Sequence, residues 1–152
     1  MSLIAVPPHE GALWVRRARP VLGTLVDIGV PAGEEAALLA AFEVMQQVQQ
    51  RMSVFEPDSD LSRSHAADVG ERVGVHAWTA EVLQFAKAMQ QQSAGLFDVA
   101  LGSGVWQLDW QGEQAFLIRH QATTRIDLGG LAKGWAVDKA VEAALAQGTQ
   151  AV

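Results

Sequence analysis

The block Arg-Ile-Asp-Leu-Gly-Gly-Leu-Ala-Lys-Gly-Trp-Ala-Val-Asp, residues 125–138, constrains this chain more than any other feature. Residues 125–128 read as a short strand that ends beside the carboxylate Asp127. Gly129 and Gly130 then allow backbone angles and a close approach that side-chain-bearing residues resist. A helix expected over 131–146 follows directly, closed by Gly148, so its first amides face outward and attract anions. Lys133 falls in the first helical turn, where the helix dipole disfavours a cation unless an anion sits nearby. Two readings stay open from the residues alone: an anion-binding turn, or a tight connection in which Asp127 caps the helix and Lys133 is solvated. The block is not a Walker A loop, because Lys133 precedes Gly134 rather than Ser or Thr, and no G-x-G-x-x-G occurs.

The rest of the chain alternates without strict βαβ order, which predicts an α+β domain. Strands are expected over 13–19 and 23–30, separated by an Arg19-Pro20 break, with Thr24, Val26, Ile28 and Val30 on one face. A helix is expected over 34–52, where Leu38, Phe42, Met45, Val48 and Met52 recur at helical spacing. Residues 53–74 are rich in Ser, Asp, Pro and Gly and read as a long loop. Thr79 is expected to cap a second helix carrying Val82, Phe85, Ala86 and Met89 on one side and closed by Gly95. Strands over 105–108 and 115–119 flank a Trp110-Gln-Gly112 turn. The last residues, 149–152, read as the start of a strand cut short.

A net charge of −6 and the lack of any Lys/Arg run argue against nucleic acid as a partner. With no cysteine, disulfides and thiolate metal sites are excluded, so any metal must take oxygen or imidazole ligands. His9, His65, His76 and His120 have no i, i+4 helical spacing and read as scattered surface or loop residues. Trp14, Trp78, Trp106, Trp110 and Trp135 read mostly as packing residues. No apolar stretch is long enough to span a membrane. The opening has no signal-peptide pattern and Pro7-Pro8 interrupts its apolar start, so a cytoplasmic location is the expectation for the chain as given.

Four blocks in order resemble the FAD:protein FMN transferases, the ApbE or thiamine biosynthesis lipoprotein family. The 125–138 block resembles that family's most distinctive motif. Leu22-Gly23-Thr24 resembles its Met-Gly-Thr. Residues 52–63, Met-Ser-Val-Phe-Glu-Pro-Asp-Ser-Asp-Leu-Ser-Arg, resemble its Met-Ser-x-Tyr-x-Pro-x-Ser-x-Leu-Ser, and Ser93-Ala94-Gly95-Leu96-Phe97-Asp98 its Gly-x-Phe-Asp. The likeness runs from about Arg17 to Val152 and covers about the first half of a typical member. It implies an ApbE-like, T-fold-like α+β fold, a mixed sheet packed with helices and truncated. It also implies magnesium-dependent transfer of FMN from FAD, as substrate, to a threonine hydroxyl of an acceptor flavoprotein, with release of AMP.

Carried over by position, the resemblance makes Leu22, Phe55, Leu96, Phe97, Asp98, Asp127 and Lys133 contacts to FAD. It makes the carbonyl of Gly130 a ligand of the metal. Lys133 would meet phosphate charge, Asp127 would hydrogen-bond flavin or ribose, and Leu22 and Phe55 would line the aromatic part. Without the family, Leu22, Phe55 and Phe97 read as core and Asp98 as a turn residue. Four departures stand out: Phe55 replaces a tyrosine, His65 an asparagine, and Ala100 and Ser103 a threonine and a proline. The family's other half carries an Asp and a Thr that complete the metal site. The alternative expectation is therefore a non-catalytic module that binds FAD weakly, or one that pairs with another chain or itself through an exposed sheet edge.

Overall fold

The computed structural model describes residues 13–152; Pro7-Pro8 and His9 lie outside them. The described residues form two compact units, 13–47 with 135–152 and 48–134.

In the first unit, β1 (Trp14–Val21) and β2 (Thr24–Pro31) pair antiparallel from Trp14↔Pro31 to Val21↔Thr24. The turn is therefore Leu22-Gly23, and the expected break at Arg19-Pro20 is corrected: both residues pair within the ladder, with Val26 and Leu25. A two-residue hairpin loop needs left-handed angles at both positions to match strand twist. Leu22 has φ 56° and Gly23 φ 70°. Pro20 is tolerated because a two-stranded ribbon leaves an N–H unneeded along each outer edge. Helix α1 (Glu35–Met52) buries Ala37, Leu38, Ala41, Phe42 and Met45 in this unit, with Ile28 and Val30 of β2 buried as well. The Arg19 guanidinium lies 4.6 Å from the Phe42 ring centroid. Helix α4 (Gly129–Ala146) contributes Ala136, Ala140 and Ala144, a buried stripe at four-residue spacing.

The second unit contains α2 (Asp60–Ala66), β3 (Val73–Val75), α3 (Ala77–Gln92), β4 (Trp106–Gln111) and β5 (Gln114–Arg119). Its sheet has the order β3-β5-β4, with both pairs antiparallel. The α+β class thus stands, with strands in two small sheets among the described residues. The tight connection between β4 and β5 is Gly112-Glu113, one residue beyond the expected turn, because Gly112 takes φ 60°. Leu61, Val82, Leu83, Leu117, Ile126 and Leu128 are buried.

Four expectations are corrected here. The long loop over 53–74 contains α2 and β3: Ser59 caps α2 by accepting from the Ser62 amide at 3.0 Å, and small polar residues on the helix mask its period. The α3 cap is His76, whose Nδ1 accepts from the Trp78 amide at 3.1 Å; Thr79 lies inside the helix, buried. The buried face of α3 is Thr79, Val82, Leu83 and Ala86, which leaves Phe85 exposed. Residues 125–128 alternate like a strand, with Ile126 and Leu128 buried and Arg125 and Asp127 exposed, yet they join no sheet. Their amides bond instead to Ser103 Oγ, His65 Nε2 and the Val99 carbonyl, so no ladder partner is needed.

Candidate flavin-handling site

Asp127 sits at the end of that segment, immediately before α4. Its Oδ1 accepts from the Gly129 amide at 2.8 Å, while the Leu128 carbonyl accepts from Leu131 and Ala132 at 2.9 and 2.7 Å. The helix begins two residues earlier than expected because this Asx turn tightens the entry. Gly130 is exposed, and a Cβ there would meet nothing within 4 Å; Lys133 is exposed too, with no ion-pair partner among the described residues. The turn therefore presents a carboxylate, a helix start and an ammonium group to solvent on one short stretch.

The Leu96-Phe97-Asp98 block is brought beside it. Asp98 orders the following loop by accepting from the Gln90 side chain at 3.2 Å and from the Ala100 and Gly102 amides at 2.9 and 2.8 Å. That loop returns to the 125–128 segment: the Val99 carbonyl accepts from the Asp127 amide at 2.9 Å, and Ser103 Oγ accepts from the Arg125 amide at 2.9 Å. The Ser103 hydroxyl also donates to the Ala100 carbonyl. Gly104 is sterically required here, since a Cβ would stand 2.2 Å from Thr124 Oγ1.

Exposure separates the core reading of the apolar candidates from the binding one. Phe55 is 92% exposed and Leu96 is 93% exposed, whereas Phe97 is half-buried. Phe55 is thus not a core residue, contrary to what its apolarity suggests. It lies between α1 and α2, where its amide donates to Ser53 Oγ at 3.2 Å and the Ser62 hydroxyl donates to the Val54 carbonyl at 3.3 Å. Leu22 belongs to the first unit, at the left-handed hairpin turn, and is half-buried.

Sequence reasoning missed the polar framework beneath these residues. Asp60 is buried at the start of α2; one oxygen takes the Arg63 guanidinium, and the other accepts from the His76 amide at 2.9 Å and from the Thr79 hydroxyl. Arg119 is 4% exposed at the end of β5 and donates to the carbonyls of Ser64, His65, Ala67, Ala122 and Thr124. Burial and the neighbouring Arg125 hold its pKa below the ordinary guanidinium value. His65, expected to be a scattered loop residue, accepts from the Ile126 amide through Nε2 at 2.9 Å. Burial first, then Arg125 and Arg119, lower its pKa below the ordinary imidazole value, with Asp127 opposing. His76 is lowered likewise, by burial and then Arg51, against Asp60. The Ser-x-x-Ser spacing of 59–62 was the legible sign of α2; no sequence signal marked Arg119.

The model of the ApbE family matches residues 22–111, more than half of the chain. The chain belongs to the ApbE family. No curated protein sequence matches significantly. The fold is that of the flavin transferase ApbE from Vibrio cholerae, with a TM-score of 0.78 at 22% identity over 91% of this chain and 55% of that one. The apbe protein from Thermotoga maritima gives 0.76 at 21% identity, covering 89% and 53%. The apo flavinyl transferase ApbE from Pseudomonas stutzeri gives 0.74 at 19%, covering 99% and 58%. The chain therefore spans somewhat more than half the length of these ApbE structures. No helix among the described residues is long and apolar enough to cross a membrane.

Proposed function

We propose that this chain is the flavin-handling portion of an FAD:protein FMN transferase. In that reaction a threonine oxygen of an acceptor flavoprotein bonds to the FMN phosphorus. The phosphoanhydride bond to AMP breaks, AMP leaves with the bridging oxygen, and the hydroxyl proton passes to solvent. The observation that carries the reading is the exposure of Phe55 and Leu96 at positions matching the family's ligand contacts, in an ApbE-family chain that could otherwise have buried them. Lys133 is the group for phosphate charge, as the resemblance implies. The free oxygen of Asp127 suits a ribose or flavin hydrogen bond, its other being held by Gly129.

Magnesium belongs to the same reading, with the Gly130 carbonyl as one ligand. The described residues gather no group of three metal-holding His, Asp or Glu side chains, and magnesium wants near-octahedral oxygen ligation. The residues present do not make a magnesium site by themselves. This mismatch, with the half-length coverage of solved flavin transferases, favours one second reading: a non-catalytic module that binds FAD weakly or completes its site with another chain.

Titration with FAD, with and without magnesium, followed by flavin fluorescence and AMP release in one sample, tests both. Magnesium-dependent AMP release supports transferase chemistry, binding without release supports the weakly binding module, and absence of binding overturns both of these.

A further inference from the structure

Between α2, the end of β5 and the 125–128 segment lies a polar junction that the proposed chemistry does not use. Its parts are His65 and Arg119. The Arg119 guanidinium reaches the carbonyls of Ser64, His65 and Ala67, at 2.7, 3.0 and 2.7 Å, where α2 runs out of helical donors. Its other nitrogen reaches the carbonyls of Ala122 and Thr124, at 3.4 and 3.2 Å, on the turn leading into the segment. His65 then bonds the segment itself through the Ile126 amide. Ile126 is fully buried and its neighbour Asp127 is exposed, so this bond anchors the backbone one residue before the Asp127 carboxylate.

We propose that His65, locked by Arg119, is a positioning residue that fixes the Asp127–Gly130 turn, and that it does so only as a neutral imidazole. A backbone N–H can bond to a ring nitrogen only where that nitrogen carries a lone pair, so His65 is the Nδ1–H tautomer. A proton on Nε2 would put two donors face to face and loosen the segment at Ile126, leaving the bonds of Arg125 to Ser103 and Asp127 to Val99. Arg119 and Arg125 are the cations facing His65 and Asp127 the opposing anion; burial and the two cations outweigh that anion and keep the ring neutral near pH 7. An asparagine in this position, as in the resembling family motif, accepts without titrating; histidine makes the turn sensitive to mild acid.

The effect on ligand rests on the flavin reading, whereas the effect on the segment does not. The test is amide hydrogen exchange at Ile126, normalised to its intrinsic rate, at pH about 7.5 and at a pH below the His65 titration midpoint followed by NMR. It is run on wild type, His65→Gln and His65→Leu. Wild type is expected to lose about tenfold protection at the lower pH, the order of one hydrogen bond. His65→Gln, whose Oε1 reaches about as far as Nε2, keeps protection at both pH values, and His65→Leu lacks it at both. FAD affinity, where wild type binds FAD, follows the same ranking. Unchanged Ile126 protection in His65→Leu, or wild-type protection that ignores the His65 titration followed by NMR, overturns the proposal. Should wild type bind no FAD, the flavin reading fails while the exchange result still decides the positioning role.

Discussion

Replacing Arg119 by methionine removes a buried cation whose only partners among the described residues are backbone carbonyls. Three of its five hydrogen bonds are 3.0 Å or shorter, to Ser64, His65 and Ala67. A hydrogen bond to a charged group contributes about 1.5–3 kcal/mol net, so the short set is worth on the order of 6 kcal/mol. Removing the buried charge returns several kcal/mol of desolvation, as replacement of buried ions by apolar residues shows. The stranded α2 carbonyls stay poorly hydrated, which leaves a net loss of about 3 kcal/mol. A domain of this size has about 5–15 kcal/mol to lose, so the variant should remain folded with a lowered urea midpoint. The assay is urea denaturation followed by tryptophan fluorescence, with buried Trp106 reporting from the same unit. Arg119→Lys should recover less than half of the loss, because one ammonium cannot reach carbonyls on both α2 and the 122–124 turn. A change below about 1 kcal/mol in Arg119→Met, at unchanged m, would refute the account.

Phe55→Ala should alter stability by less than about 0.5 kcal/mol, given its 92% exposure, and, on the proposed flavin reading, weaken FAD binding about tenfold through lost stacking; a large fall in thermal midpoint would show that Phe55 packs. Leu22→Asn should raise stability by about 0.5–1 kcal/mol in thermal melts, because asparagine tolerates the left-handed φ of 56° that leucine resists. If Leu22 lines the ligand, the same variant loses FAD affinity. Acid stability depends on His65 and His76, each accepting a backbone amide and each with a lowered pKa. For a base whose folded pKa lies below its unfolded value, the stabilisation is complete above the unfolded value of about 6.5. It is lost as pH falls toward the folded value. Chemical melts across that range should therefore show a stability step, which the double variant His65→Gln, His76→Asn should flatten; an unchanged step would assign it elsewhere.

The sequence by itself determined the pieces whose physics is local. The 3.6-residue spacing of Leu38, Phe42, Met45, Val48 and Met52 placed α1, since each of these lies on the buried face. The glycine pair at 129 and 130 placed the start of α4 within two residues, and the order of four motifs led to the family that residues 22–111 match. Tertiary structure decided what depends on distant partners. Period alone makes residues 125–128 a strand; His65, Ser103 and Val99, remote in sequence, take their amides and remove them from any ladder. Composition alone makes Phe55 core and Arg119 surface, and the fold inverts both: Phe55 falls on the turn before a helix capped by Ser59, while Arg119 ends a strand that points it at unpaired helix carbonyls. Burial is set by which groups the folded chain brings within hydrogen-bond reach, and that information is spread across residues tens of positions apart.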